Sequence, residues 1–149
     1  MNSEEKSFQK RVVFENQFFI AFIPFFTDFP FGVFVVSKNH KRNFTEFSDL
    51  EKLDLAQLMK ALTGGFDHIF NRPFPYVMSV HQTPVNSPEF SGCDEYYHFH
   101  IEFYPPLRDE NKIKWYAGSE MGAWAAANPL NVDDCAEQLR IAIQKFLKK

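Results

Sequence analysis

The stretch Tyr96-Tyr97-His98-Phe99-His100-Ile101-Glu102-Phe103-Tyr104-Pro105-Pro106 constrains this chain more than any other. β-Formers fill it, and polar and apolar side chains alternate along it, which predicts one β-strand. Side chains at i, i+2 and i+4 of a strand share a face. His98, His100 and Glu102 are therefore expected on one side, with Tyr97, Phe99, Ile101 and Phe103 on the other. The apolar side requires a core to cover it. The polar side gathers two imidazoles and a carboxylate within roughly 14 Å of strand, a donor set suited to metal or phosphate chemistry. Burying such groups without a partner is costly, so a partner is expected.

The remaining chain predicts the sheet that this strand needs. Residues 11–16 and 18–24 read as two strands with a turn at Asn16-Gln17, and 32–38 as a third, apolar enough to be central. Ser48-Asp49-Leu50-Glu51 has capping-box spacing, and leucines recur at helical intervals after it, predicting a helix over 48–70. Gly64-Gly65 weakens that pattern by about 1 kcal/mol per glycine relative to alanine. Arg72-Pro73-Phe74-Pro75 stops the helix, 76–82 is a fourth strand, and 83–94 is a loop rich in Pro, Ser, Asn and Gly. A charged turn at 109–112, a strand over 113–118, a short helix over 121–127 and a last helix from Asp133 complete the order. Residues 1–10 read as a lead-in and 11–149 as one domain. The 19 phenylalanines would stock its core. Strands clustered on both sides of one long helix predict an α+β fold with a mainly antiparallel sheet.

Several function classes are disfavoured. A formal net charge of −3 argues against broad attraction to nucleic acid. Lys38, His40, Lys41 and Arg42 form a local basic group that reads as a solvated loop. No apolar run approaches the ~20 residues of a membrane helix. The start, Met1-Asn2-Ser3-Glu4-Glu5-Lys6, is unlike a secretory signal. Cys93 and Cys135 form no Cys-x-x-Cys pair and suggest no disulfide framework, so a cytoplasmic location is expected. Neither a Gly-x-Gly-x-x-Gly fingerprint nor a phosphate loop is present.

His81 ends the fourth strand. If that strand neighbours the one bearing His98 and His100, His81 approaches the same face. His81, His100 and Glu102, with His98 nearby, would then form a site for zinc or iron. The same residues also permit a nucleophile: a neutral His100 could attack phosphorus, with His98 and Glu102 orienting substrate or protonating a leaving oxygen. His68, Asp94 and Glu95 read as ordinary solvated groups, and His40 as a contact of solvent or substrate.

Pro30 to His40 followed by a helix, and then His98-Phe99-His100-Ile101-Glu102, resemble the histidine triad superfamily. That signature alternates three histidines, the middle one being the nucleophile on a nucleotide α-phosphate. His98 and His100 match its first two positions and Glu102 stands at the third. A narrower resemblance is to the C-terminal half of galactose-1-phosphate uridylyltransferase. It is carried by residues 11–16, Phe74-Pro75-Tyr76, His81-Gln82-Thr83-Pro84, His100 to Arg108, Lys114 to Glu120 and 136–140. The resemblance implies a histidine-triad-like fold and UMP transfer from UDP-glucose to galactose 1-phosphate through a uridylyl-histidine. That nucleophile belongs to the N-terminal half, in an Asn-Pro-His-Pro-His-Gly-Gln motif absent here. It further implies a metal held by residues matching His81 and His100, with Glu102 where relatives have a third histidine and the fourth ligand coming from the other half. Lys114 and Glu120 match a segment that touches the sugar nucleotide across a dimer, and the family's glutamine falls near Ala126. A UDP-hexose or hexose 1-phosphate is the implied ligand. The implied partner is a second copy or the missing N-terminal half.

Overall fold

The structure is a computed structural model that describes residues 8–116 and 118–149. Residues 1–7 of the expected lead-in, and Ala117 of the strand expected over 113–118, lie outside them. The order is β1 (Val12–Glu15), β2 (Phe19–Phe22), β3 (Val33–Ser37), α1 (Asp49–Ile69), β4 (Val77–His81), β5 (His100–Tyr104), β6 (Leu107–Asp109), β7 (Lys112–Ile113), α2 (Ser119–Ala123) and α3 (Val132–Leu147). Single 3-10 turns occupy Phe44–Glu46, Pro88–Phe90 and Cys93–Glu95. Strands β1 to β5 form one antiparallel sheet in the order β1-β2-β3-β5-β4, and β6 pairs with β7. The α+β expectation holds.

Alternation decides which face is covered. Phe19, Ala21, Val33, Val35, Ile101 and Phe103 are buried beneath helical residues such as Leu58, Leu62, Phe66, Leu139 and Ile143. Their neighbours Phe22, Phe34, Val36, His100, Glu102 and Tyr104 are only partly covered on the other face. Ser48 caps α1 as expected: its hydroxyl accepts from the Glu51 N–H and the Glu51 carboxylate accepts from the Ser48 N–H. Gly64 and Gly65 turn out to be a notch. A Cβ at Gly65 would lie 2.3 Å from Ile143 Cγ1, and one at Gly64 would lie 2.6 Å from the Phe146 ring, so their absence lets α1 and α3 approach closely. Among the described residues, no helix is long and apolar enough to cross a membrane.

Two predicted elements are shorter than the alternation suggested. The strand expected over 96–106 is paired only over His100–Tyr104. Before it, Gly92 at φ +80° opens a 3-10 turn, and the Tyr97 N–H donates to the Cys93 carbonyl at 2.7 Å instead of to a neighbouring strand. After it, Pro105 and Pro106 have no N–H to continue the ladder. The strand expected from Ile113 to Gly118 ends at once. Among the described residues of this stretch only Lys112–Ile113 pairs, and Lys114 turns inward with its N–H on the Pro106 carbonyl at 2.6 Å. The short helix expected over 121–127 lies at Ser119–Ala123 and ends at Trp124, whose φ is +52°.

Candidate metal centre

Register brings the predicted donors together. β4 does neighbour β5, and His81 stands directly opposite His100, while Glu102 faces Ser79 on one side and Phe34 on the other. The His81 and His100 rings stack at 4.5 Å with an 8° interplanar angle. Phe34, from β3, stacks on His100 at 5.7 Å and 15°. The three rings form a ladder across β3, β5 and β4 that restrains the middle imidazole.

Hydrogen bonding then fixes which nitrogen of His100 is free. Its Nδ1 lies 2.9 Å from the His98 carbonyl, and a carbonyl only accepts, so Nδ1 carries the proton. In the neutral ring Nε2 therefore presents a lone pair, 3.3 Å from Glu102 Oε1. The other oxygen, Oε2, lies 3.5 Å from His81 Nε2, which is buried and makes no hydrogen bond. The His100 Nε2 lone pair and Glu102 Oε1, facing each other at 3.3 Å on a carboxylate only 14 % exposed, repel unless a proton or a cation lies between them. One donor atom from each of His81, His100 and Glu102 lies within 4.8 Å of the others. Two imidazoles and one carboxylate suit zinc or ferrous iron and leave coordination positions open. The residues fit a metal ion.

His98 stands apart from this set. Its Nε2 donates to the Ser37 carbonyl at 2.7 Å, and its ring meets His40 edge-on at 5.5 Å. Residue 98 precedes the paired strand, so the i, i+2 alternation does not govern its side chain. What it supplies to the centre is the carbonyl that orients His100. Two neighbours escaped the sequence pattern. Phe34 could be placed only once β3 was known to flank β5. Tyr97 was expected in the core, yet its ring lies 5.9 Å from that of His100. Burial first, then the charges of Glu102 and Cys93, push the Tyr97 phenol above its ordinary pKa.

Lys114 and Glu120 are paired with each other, Nζ to Oε1 at 3.0 Å. The lysine side chain is 4 % exposed, and its ammonium lies over the Tyr116 and Phe29 rings at 4.8 and 5.5 Å. Glu120 also lines a cavity of about 370 Å³ with Asp28, Tyr116, Met121, Trp124 and Ala126. Of the positions that the resemblance linked to the sugar nucleotide, Glu120 lines this cavity and Lys114 is paired with that glutamate, and Ala126, near which the family's glutamine falls, lines the cavity too.

Residues 1–145 match the family model described as galactose-1-phosphate uridyl transferase, C-terminal domain. The chain belongs to that family. A galactose-1-phosphate uridylyltransferase of Thermotoga maritima is 40 % identical over 136 residues, covering 91 % of this chain and 42 % of the relative. A solved uridylyltransferase structure superposes with a TM-score of 0.81 at 34 % identity, covering 94 % of this chain and 43 % of that one. The uridylyltransferase-type chain therefore spans about two fifths of the length of these relatives. A zinc-bound histidine triad family protein from Mycobacterium smegmatis superposes at a TM-score of 0.60 and 12 % identity, over 92 % of this chain and 86 % of its own, and shares the fold.

Proposed function

We propose that this chain serves as the C-terminal domain of a uridylyltransferase that moves UMP between UDP-glucose and galactose 1-phosphate. Its part in that reaction is to supply a metal centre and one wall of the hexose-phosphate pocket. The observation that carries the reading is the converging donor set of His81, His100 and Glu102, three ligand atoms within 4.8 Å of one another that a cation would bring together. A bound zinc or iron ion would supply the positive charge that locks the three side chains together. His98 holds the His100 tautomer through its carbonyl, and Phe34 holds the ring plane. Lys114 and Glu120 belong to the sugar-phosphate side of the pocket. A second copy, or a chain carrying the Asn-Pro-His-Pro-His-Gly-Gln half, completes the enzyme in the cytoplasm.

The test is elemental analysis of the purified chain beside His100→Ala, then UMP transfer after mixing with the N-terminal half of the Thermotoga maritima relative. Stoichiometric zinc or iron lost in the variant, with transfer in the mixture, supports the reading. Equal metal content in the two proteins overturns the metal role, and a stable complex without transfer overturns the domain role.

One observation favours a second reading, in which His100 itself accepts UMP. Anchoring Nδ1 leaves Nε2 as the single free lone pair of that ring. Attack at the α-phosphorus of UDP-glucose would form the N–P bond and release glucose 1-phosphate. Intact mass after incubation with UDP-glucose decides it: a gain of one UMP, absent in His100→Ala, supports this reading, and no gain removes it.

A further inference from the structure

His81 is the last residue of β4 and His100 the first of β5, so the two imidazoles occupy the terminal rung of the ladder. Beyond that rung the chain leaves the sheet through residues 82–99. Strand ends open most readily, whereas a metal centre needs its donors held in place. The segment that follows β3 holds both ends of the connection. On the His81 side, the Thr83 N–H and hydroxyl donate to the Arg42 carbonyl at 2.9 and 3.2 Å, and the Phe44 N–H donates to Gln82 Oε1 at 2.8 Å. On the His100 side, the Phe99 N–H donates to the Lys41 carbonyl at 2.7 Å. The Arg42 side chain adds the tie between them. Its Nη1 lies 3.2 Å from Asp94 Oδ2, while Nε is held by Glu46, whose carboxylate also accepts the Arg42 N–H at 2.9 Å. His40 Nε2 reaches the Asp94 carbonyl at 3.2 Å.

We propose that Arg42 is a positioning residue for the metal centre. Its carbonyl holds the Thr83 end of the 82–99 connection and its guanidinium holds Asp94 within it, so that, with the Lys41 carbonyl on Phe99, one segment keeps His81 and His100 at stacking distance. This inference rests on the metal reading above. It gives a role to a basic group that otherwise reads as a solvated loop. The sign of the effect separates it from plain electrostatics, because removing a cation near a cation site should by itself tighten metal binding. A clamp predicts the reverse.

The experiment measures zinc affinity of the full chain by competition with a chromophoric chelator, alongside amide hydrogen exchange. The guanidinium is 47 % exposed, so Arg42→Gln is expected to weaken zinc binding by about two- to fivefold, the range of an exposed ion pair. Arg42→Lys, which keeps the charge, should recover part of the loss. Asp94→Asn should match Arg42→Gln, with the double variant no weaker than either single one. Without metal, exchange at the Thr83 and Phe99 amides should quicken in Arg42→Gln while β2 and β3 are unchanged. Zinc binding in the unmodified chain with equal or tighter binding in Arg42→Gln overturns this inference alone. Absence of zinc binding in the unmodified chain overturns the metal reading and this inference with it.

Discussion

Glu102→Gln should stabilise the metal-free protein while removing most of its response to zinc. The substitution keeps the shape of the side chain and exchanges one carboxylate oxygen for an NH2 donor. In the neutral His100 ring, Nε2 faces Glu102 Oε1 at 3.3 Å with no proton between them, so the amide turns a repulsive contact into a hydrogen bond. One such bond contributes about 0.5–1.5 kcal/mol net. At about 2–4 °C per kcal/mol for a chain of this size, Tm in EDTA should rise by roughly 1–6 °C. The metal-bound form should move the other way. Zinc at 100 times its Kd adds about 2.7 kcal/mol to the unmodified protein, and a neutral amide is a poor substitute for a carboxylate ligand, so most of that gain should vanish. The assay is thermal unfolding near pH 8.5. A lower Tm for Glu102→Gln in EDTA would refute the reasoning, because it would mean the carboxylate already has a satisfied partner. An undiminished zinc shift would remove Glu102 from the ligand set.

Three further expectations concern the scaffold. Gly65→Ala gains up to about 1 kcal/mol of helix propensity but puts a methyl 2.3 Å from Ile143 Cγ1 and 3.2 Å from its Cα, so α3 must shift; urea unfolding should show a net loss of about 1–2 kcal/mol. Gly64→Ala meets first the side-chain ring of Phe146 and should stay within about 1 kcal/mol of the unmodified protein, a contrast that would disappear if helix propensity alone governed the pair. The Cys135 thiol, pushed up to about 12 chiefly by burial and then by Asp134, should resist iodoacetamide at pH 8 until the protein unfolds, and peptide mapping of the alkylated chain would expose any native reaction. The Glu51 carboxyl is held below its ordinary pKa, first by the Ser48 N–H and against the opposing effect of burial, with Lys41 at 3.0 Å assisting. A depressed carboxyl stabilises the fold above its unfolded value of 4.5, and that contribution fades as pH falls through the lower folded value. Glu51→Gln should therefore cost about 1 kcal/mol at pH 7, with the gap to the unmodified protein closing in acid.

What the sequence disclosed and what it hid divide along the range of the interactions. The buried set Phe99, Ile101 and Phe103 was legible because a period of two is written into consecutive residues. So was the Ser48–Glu51 cap, which closes within one turn. His81 could be placed beside His100 only on the condition that β4 neighbours β5, and that adjacency comes from a sheet order in which β5 inserts between β3 and β4. His98 was misplaced for a related reason. Alternation predicts a common face only where a partner strand holds the pleat, and at residue 98 the nearby polar groups belong to the end of β3.

The glycine pair shows the same division in energetic terms. Propensity registers the cost of Gly64-Gly65 to α1 but not the helix, almost eighty residues downstream, whose approach offsets it. The donor triad follows the same logic. Two of its members stand where the ladder ends, beside connections that hydrogen-bond to residues 41–44 as well as to the sheet. A reader of β5 alone can name two of the candidate donors, His100 and Glu102. On the proposal above, how tightly they are held depends on a loop that, taken alone, looks like a patch of solvated charge.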